Sequence, residues 1–495
     1  MWPRVLAIAG SCLFVLAVAA AAAAWVLYNQ ALAVKDHETK ALASLNSISS
    51  LTSATKTSTV KTTIASASAN ADEARSIAHG RLWNIAARIP VIGGDVSTVQ
   101  GMTSVMADVV GDTVPRLVDV ASTLQNATLS TGDATINLSP ILASQKEMTS
   151  VSTDLAKLVD DYDSLATPRT SKVRTAYLSG KTSLESLDDT VSGLSDGLNI
   201  LPDFLGSDGA KTYAILAMTT SEARSSGGLV GSVGEMKTQD GAISISDFRS
   251  NTEYLPYSRA QATSDEKRLF SAWGPLSMSF DIRDSAVYPD TSRVASAMKT
   301  MWTSTPWGST TTLDGVILVD PVVLQELVGA TGNITLPDGR VLTGSNTAKF
   351  LLNTVYTDYK ISEQDELFGL VAERAVSSAF SNMTFSKLVT IGKIMGSMAQ
   401  GRHLSVYAFD TSTQKTIAAA GLTASSPDNE EKPSVGVYLT QQSASKMDWY
   451  VHRTSRVVRK SCNSNGSQTY QVSYTMKNTI TSAQASSLSS YITGY

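Results

Sequence analysis

Cysteine is almost missing from this chain. Its 495 residues hold two, Cys12 inside a long apolar run and Cys462 near the end, so no internal disulfide framework can staple the intervening fold. Histidine is as scarce: His37, His79, His403 and His452 stand singly. A Cys/His zinc site is thereby excluded, a Ser-His-Asp triad has few places to form, and each lone histidine reads as a surface or capping residue. Charge is thin, 17 % of residues with a net of −4, and no Lys/Arg block occurs. Phosphate neutralisation needs a basic face, so a nucleic-acid partner is not expected.

What is present begins with one unbroken apolar run, Val5 to Leu27, preceded by Arg4 and followed by Lys35, Asp36 and a polar chain. At about 1.5 Å per residue it is long enough to cross a hydrocarbon core of roughly 30 Å. The run predicts a transmembrane anchor at 5–27 with the bilayer as its partner. Arg4 and the α-amino group place the amino terminus inside, and the bulk of a single-pass cell-membrane protein outside. The rival is a cleaved signal peptide, because Ala19 to Ala24 offer small-residue cleavage sites.

From Asp36 to Asn199 apolar residues recur three and four apart: Met102, Val105, Val109, Leu117 and Leu124; Met148, Val151, Leu155, Leu158 and Tyr162; Leu184, Leu187, Val191, Leu194 and Leu198. This is helical periodicity with one buried face. Breaks at Pro90 with Gly93 and Gly94, at Ser139-Pro140 and at Pro168 suit antiparallel helices, and Pro115 should kink or end its own. The stretch up to His79 is rich in Ser, Thr and Ala, so its helix needs partners. Residues 36–200 are expected to form a helical bundle or stalk, with a coiled-coil dimer as the alternative.

Composition changes at Leu201-Pro202. Thr212 to Met218, Gly227 to Lys237 and Ala242 to Phe248 are β-rich, with Asp240-Gly241 as a hairpin turn. Leu313 to Pro321 reads as a strand buried on both faces, flowing into a short helix stopped by Gly332. Helices at Asn346 to Tyr356, Glu363 to Phe380 and Phe385 to Met398 precede a strand at Ser405 to Phe409. Alternation of this kind means an α/β domain at 205–425. Val435 to Thr440, Trp449 to Val458 and Thr469 to Met476, with a turn around Asn463 to Gly466, read as an antiparallel β module at 430–495 that looks unfinished at its carboxy end.

Two arginines carry the candidate chemistry. Arg224 precedes Ser225, Ser226, Gly227 and Gly228, and the lack of bulk at Ser225, Gly227 and Gly228 lets backbone approach a ligand closely. Arg249 follows a strand and enters a polar loop. A guanidinium fork suits phosphate or pyrophosphate. The simpler alternative is a pair of surface salt bridges, Glu222 with Arg224 and Asp247 with Arg249. No catalytic residue and no metal ligand is assigned.

The order of elements resembles the LytR-CpsA-Psr phosphotransferases, single-span bacterial envelope enzymes. Arg224-Ser225 opens a hairpin that ends in Asp247-Phe248-Arg249-Ser250, and Leu313 to Leu336 and Leu342 to Tyr356 resemble the later strand, helix and L-x-G-x-x-A elements. A closer resemblance is to an uncharacterised actinobacterial family of membrane-anchored envelope proteins, domain-of-unknown-function family 4012. Its E-x-R-x-x-G-G, D-G-V-x-x-x-D-P and K-M-D-x-Y motifs correspond to Glu222, Arg224, Gly227 and Gly228; Asp314, Gly315, Val316, Asp320 and Pro321; and Lys446, Met447, Asp448 and Tyr450. The likeness runs from roughly Arg81 to the end.

The phosphotransferase resemblance implies a polyprenyl-pyrophosphate glycan in an apolar pocket, held by arginines and a magnesium ion. The sequence departs from that pattern. Ser226-Gly227-Gly228 stand where an acidic residue is expected, and Tyr356 to Tyr359 and Ser362 to Asp365 stand where later arginines are expected. Transfer depends on charge neutralisation, so these losses weaken the enzyme reading, and magnesium enters only with it. The preferred expectation is a non-catalytic envelope module binding a polyprenyl phosphate or cell-wall glycan through Arg224 and Arg249. A glycopolymer phosphotransferase and a purely structural stalk are the alternatives.

Overall fold

Alanine sets the packing of the first region. The computed structural model describes residues 21–43, 57–132, 134–246, 248–270, 278–428 and 434–494, divided between a unit of residues 1–127 with 139–198 and a unit of residues 128–138 with 199–495. In the first unit a helix over 21–43 and the helix Thr57–Ala78 bury small side chains: Ala41, Ala67, Ala71, Ala74 and Ala78 are all fully covered. Their neighbours are Met106 and Val110 on one side and Val34, Trp83 and Val96 on the other. Small residues at helical spacing let helices approach closely, which is how a Ser/Thr/Ala-rich segment finds the partners it needs.

Further helices are Gly93–Asp108, Val114–Asn126, Leu138–Asp163 and Ser171–Phe204. Pro115 neither ends nor breaks its helix. It occupies the first turn of Val114–Asn126, directly after a π-helical turn, Val109–Thr113, that absorbs the missing N–H. Tyr162 stacks on Tyr177 at 5.2 Å and donates to its carbonyl. A Cβ on Gly180 would lie 2.3 Å from the Tyr162 hydroxyl, so glycine is required there.

The expected transmembrane anchor is corrected here. Most of 5–27 lies outside the described residues, and among those described no helix is long and apolar enough to cross a membrane. Beyond Leu27 the helix over 21–43 carries Asn29, Gln30, Lys35, Asp36 and Glu38. The single-pass cell-membrane placement and the extracytoplasmic orientation drawn from it are withdrawn with the anchor.

The second unit is mixed α/β. Its main sheet uses β1 (Ser130–Gly132), β2 (Thr135–Ile136), β3 (Lys211–Arg224), β4 (Gly227–Gln239), β5 (Ala242–Ile245), β6 (Arg249–Ser250), β7 (Gly315–Val319) and, after the small pair β8 (Ile334–Thr335) and β9 (Val341–Leu342), β10 (Leu404–Ala408). The order is β1-β2-β5-β4-β3-β7-β10, with β6 beside β4, and only β3 and β7 are parallel. Asp240 and Gly241 both have positive φ, the turn that the Asp-Gly pair predicts between β4 and β5. One sheet face, with Leu216, Met218, Val230, Val233, Val316 and Leu318, packs on Ile282, Val287 and the helix Thr291–Thr303. The other, with Tyr213, Ile215 and Met236, packs on Phe204, Ile243 and Phe248. Both faces of β7 are covered, which is why its sequence reads as a continuous apolar run.

At the end of β7, Asp320 caps the helix Pro321–Thr331 by accepting from the Val322 N–H at 2.8 Å, with Pro321 in the first turn and Gly332 at φ 120° closing it. Beyond residue 433 the structure departs from expectation. Val435 to Thr440 forms no strand; the β structure is a long hairpin of β11 (Val451–Cys462) and β12 (Gln468–Asn478), paired only with each other.

Candidate functional site

β3 runs several residues past the point where β7 ends, so Thr219 to Arg224 must find partners outside the parallel pair. They find them in the segment before the hairpin. Glu222 forms a buried ion pair with Lys446, 224 residues away, and the Ala223 N–H donates to Asp448 at 2.9 Å. The Lys446 ammonium also lies 4.5 Å from the Tyr356 ring centre and 4.6 Å from that of Tyr491. Burial lowers the Lys446 pKa, but Glu222 and the two rings outweigh it, and the net direction is up. Burial pushes the Tyr356 hydroxyl up to about 12. Ser221 donates to the Leu352 carbonyl at 2.6 Å, and Asn353 donates to the Tyr450 hydroxyl at 2.9 Å. Both acceptor and donor belong to a π-helical turn, Phe350–Thr354, which thus meets β3 through Ser221 and the segment before the hairpin through Tyr450.

Arg224 is part of this clasp. Its side chain is 7 % exposed; one terminal nitrogen donates to the carbonyls of Ala223 and Gln441, and the other pairs with Asp284 at 3.3 Å. Only Nε lacks a partner among the described residues. Asp284 is held in turn by the Ser279 N–H and hydroxyl, both at 2.8 Å. Ser225 bonds Thr440 at 3.0 Å, and Ser226 donates to the Tyr288 carbonyl. The close approach that Gly228 permits is to the chain itself, since a Cβ there would lie 2.1 Å from the Thr219 carbonyl oxygen. Gly227, at φ 127°, makes the turn into β4.

Arg249 sits elsewhere. On β6 it pairs with Val233 of β4, whereas Arg224 pairs with Gly227, so about six residues or roughly 20 Å of strand separate them. The two arginines do not converge. The Arg249 guanidinium is 4.4 Å from the centre of the Trp307 ring and pairs with Glu253 at 3.2 Å, with its side chain 45 % exposed. Trp307 meets Tyr254 and Tyr257 edge-on at 5.3 and 5.5 Å. The salt-bridge alternative also changes partners: Glu222 takes Lys446, Arg224 takes Asp284, and Asp247 lies outside the described residues.

The D-G-V stretch is structural. Asp314 accepts from the Thr212 N–H at 2.7 Å, and a Cβ on Gly315 would lie 2.5 Å from the Tyr407 carbonyl oxygen, so only glycine fits between β3 and β10. At the far end of β7 the Asp320 carboxylate also bonds His403 Nδ1 at 2.6 Å, and this contact raises the His403 pKa against the opposing effect of burial. His403 is thus a tie between β7 and β10. Among the described residues no group of three His, Cys, Asp or Glu is placed to hold a metal ion. Ser226-Gly227-Gly228 offers no carboxylate either, so the residues present do not fit the magnesium that a phosphotransferase implies.

Sequence reasoning missed Trp307, which lies far from the motifs, and Tyr254 and Tyr257, which follow Arg249 by five and eight residues but show no spacing signal. It quoted Lys446 and Asp448 without their partners. No curated protein and no solved structure matches this chain. Residues 208–356, from just before β3 through the π-helical turn, match the model of a family described as protein of unknown function (DUF4012).

Proposed function

We propose that the second unit is a non-catalytic module for an anionic glycan, of the polyprenyl-linked or wall-polymer kind, with Arg249 as the cationic contact for its anionic group. The observation that carries this reading is the half-exposed Arg249 guanidinium on Trp307, beside Tyr257. Arginine forks match phosphate or carboxylate, aromatic rings match sugar faces, and stacking holds the fork in place before a ligand arrives. Glu253 occupies one nitrogen and leaves the others as donors among the described residues. The transferase alternative needs converging cations, and Arg224 is buried against Asp284 about 20 Å of strand away.

The test is titration of a phosphorylated oligosaccharide, and separately of polyprenyl phosphate in micelles, onto the parent and Arg249→Ala. Loss of a charge-assisted contact should weaken binding by about 1.5–3 kcal/mol, roughly tenfold or more. A variant that binds both probes as the parent does sinks the proposal.

A further inference from the structure

The hairpin β11–β12 reverses the usual distribution of side chains. Residues opposite each other across an antiparallel pair share a face. The register therefore puts Arg453 with Met476, Ser455 with Tyr474, Val457 with Val472 and Arg459 with Tyr470 on one face. Val457 and Met476 are each 53 % exposed, and Tyr470 and Val472 are exposed beside them. Every large exposed apolar residue of the hairpin lies on that face. The other face carries His452, Thr454, Arg456, Ser473, Thr475 and Lys477, with Val458, half-buried, its one large apolar residue. Both outer edges of the ribbon carry no strand among the described residues. An isolated two-stranded ribbon is marginal in water and a template for added strands.

Charge limits what can cover it. Between Val451 and Asn478 there are five Lys and Arg and no Asp or Glu, so the hairpin carries +5 while the whole chain carries −4. A second copy stacking hairpin on hairpin would bring two such faces together and is opposed by repulsion. A polyanionic sugar would answer the charge but leave Val457, Val472 and Met476 in water. We infer that this ribbon is a docking site for a separate protein partner that presents a strand or sheet surface with apolar residues rimmed by aspartate and glutamate. Main-chain pairing or face-to-face packing then supplies affinity, and the charged rim supplies selection. The foot of the ribbon is held for this purpose by the clasp: Lys446 by Glu222, Asp448 by the Ala223 N–H and by Arg453, and the Thr479 N–H by the Tyr450 carbonyl.

The test uses the full chain with a short synthetic peptide alternating valine with glutamate, a counterpart with lysine replacing glutamate, and dextran sulfate. Two doubly substituted chains, V457S/V472S and R456E/R459E, alter exposed positions only, and thermal melts confirm that both fold as the parent does. Expected is binding of the acidic peptide that each variant weakens by about tenfold or more, is reduced by salt, and is not shown by the lysine peptide. The inference is overturned if the acidic peptide does not bind, or if the variants leave its binding unchanged. It is equally overturned if the lysine peptide binds as well, or if dextran sulfate binds more tightly and responds to R456E/R459E alone. A parent that sediments as a dimer dissolved by V457S/V472S would show that the occupant is a second copy.

Discussion

The segment Lys446–Tyr450 and the hairpin that follows it are joined by one peptide bond and obey opposite rules. In the first, Lys446 is nearly excluded from water together with its β3 partner Glu222; in the second, valines, a methionine and a tyrosine face it. The difference teaches that burial here follows partnership rather than residue type. A charge can be buried where a partner of opposite sign and polarisable rings meet it, and an apolar face stays out where nothing of the described chain is shaped to cover it.

The largest effect should come from breaking the clasp. Lys446→Met leaves Glu222 buried without its cation and should cost about 3–5 kcal/mol, whereas the pair K446M/E222L should recover most of that loss. Chemical denaturation of the two variants checks this, and equal losses in both would mean that the pair is not the anchor. In the helical unit the same rule applies to a carboxylate with no partner. Burial raises the Glu38 pKa from 4.5 to about 8, and one carboxylate oxygen has no partner among the described residues. A group whose folded pKa is raised favours the fold when protonated, so stability should fall as pH rises from 4.5 to about 8. Glu38→Gln should remove that fall and stabilise the unit by a few kcal/mol (order of magnitude) at the upper end of this window. Melts of parent and variant across the window decide it.

The two arginines sharpen the comparison further. Arg224→Met uncovers Asp284 and two carbonyls and should cost about 2–4 kcal/mol, while Arg249→Ala removes an exposed pair and a ring contact and should cost less than about 1 kcal/mol. Equal losses would erase the contrast between a buried and an available guanidinium. A smaller effect belongs to His403, whose folded pKa is raised chiefly by its bond to Asp320. Its contribution is fully present below the unfolded value of 6.5 and is lost as pH rises through the folded value. Asp320→Asn should flatten that part of the stability profile. Smallest of all, V457S/V472S should leave the melting temperature unchanged, because neither side chain is buried against the described chain.

Much of the local structure was legible. Asp240-Gly241 demands positive φ twice, Asp320-Pro321 is a cap followed by a first-turn proline, and Gly332 is a helix stop; each is a decision made within a few residues. The break positions in the helical region were legible for the same reason, although Pro115 was absorbed by a π-helical turn that no spacing rule anticipates. The site was less legible. Arg224 and Arg249 have similar neighbours in sequence, yet Asp284 and Gln441 bury one while Trp307 holds the other in the open. The basic character of the hairpin forms no continuous charge block in sequence, because its cations are mostly spaced by valine, serine and threonine. They become neighbours only when the strands pair.

By itself, then, the sequence determined periodicity, turns, caps and the small-residue stripe of Thr57–Ala78, because these depend on backbone preference and on side chains one or two turns apart. Tertiary structure alone decided that Glu222 meets Lys446 across 224 residues, that Arg224 is structural and Arg249 accessible, and that one face of the hairpin stays apolar in water. Ionic and ring contacts reach only a few ångströms, so what a charged side chain can do is fixed by whatever distant segment the fold places within that reach.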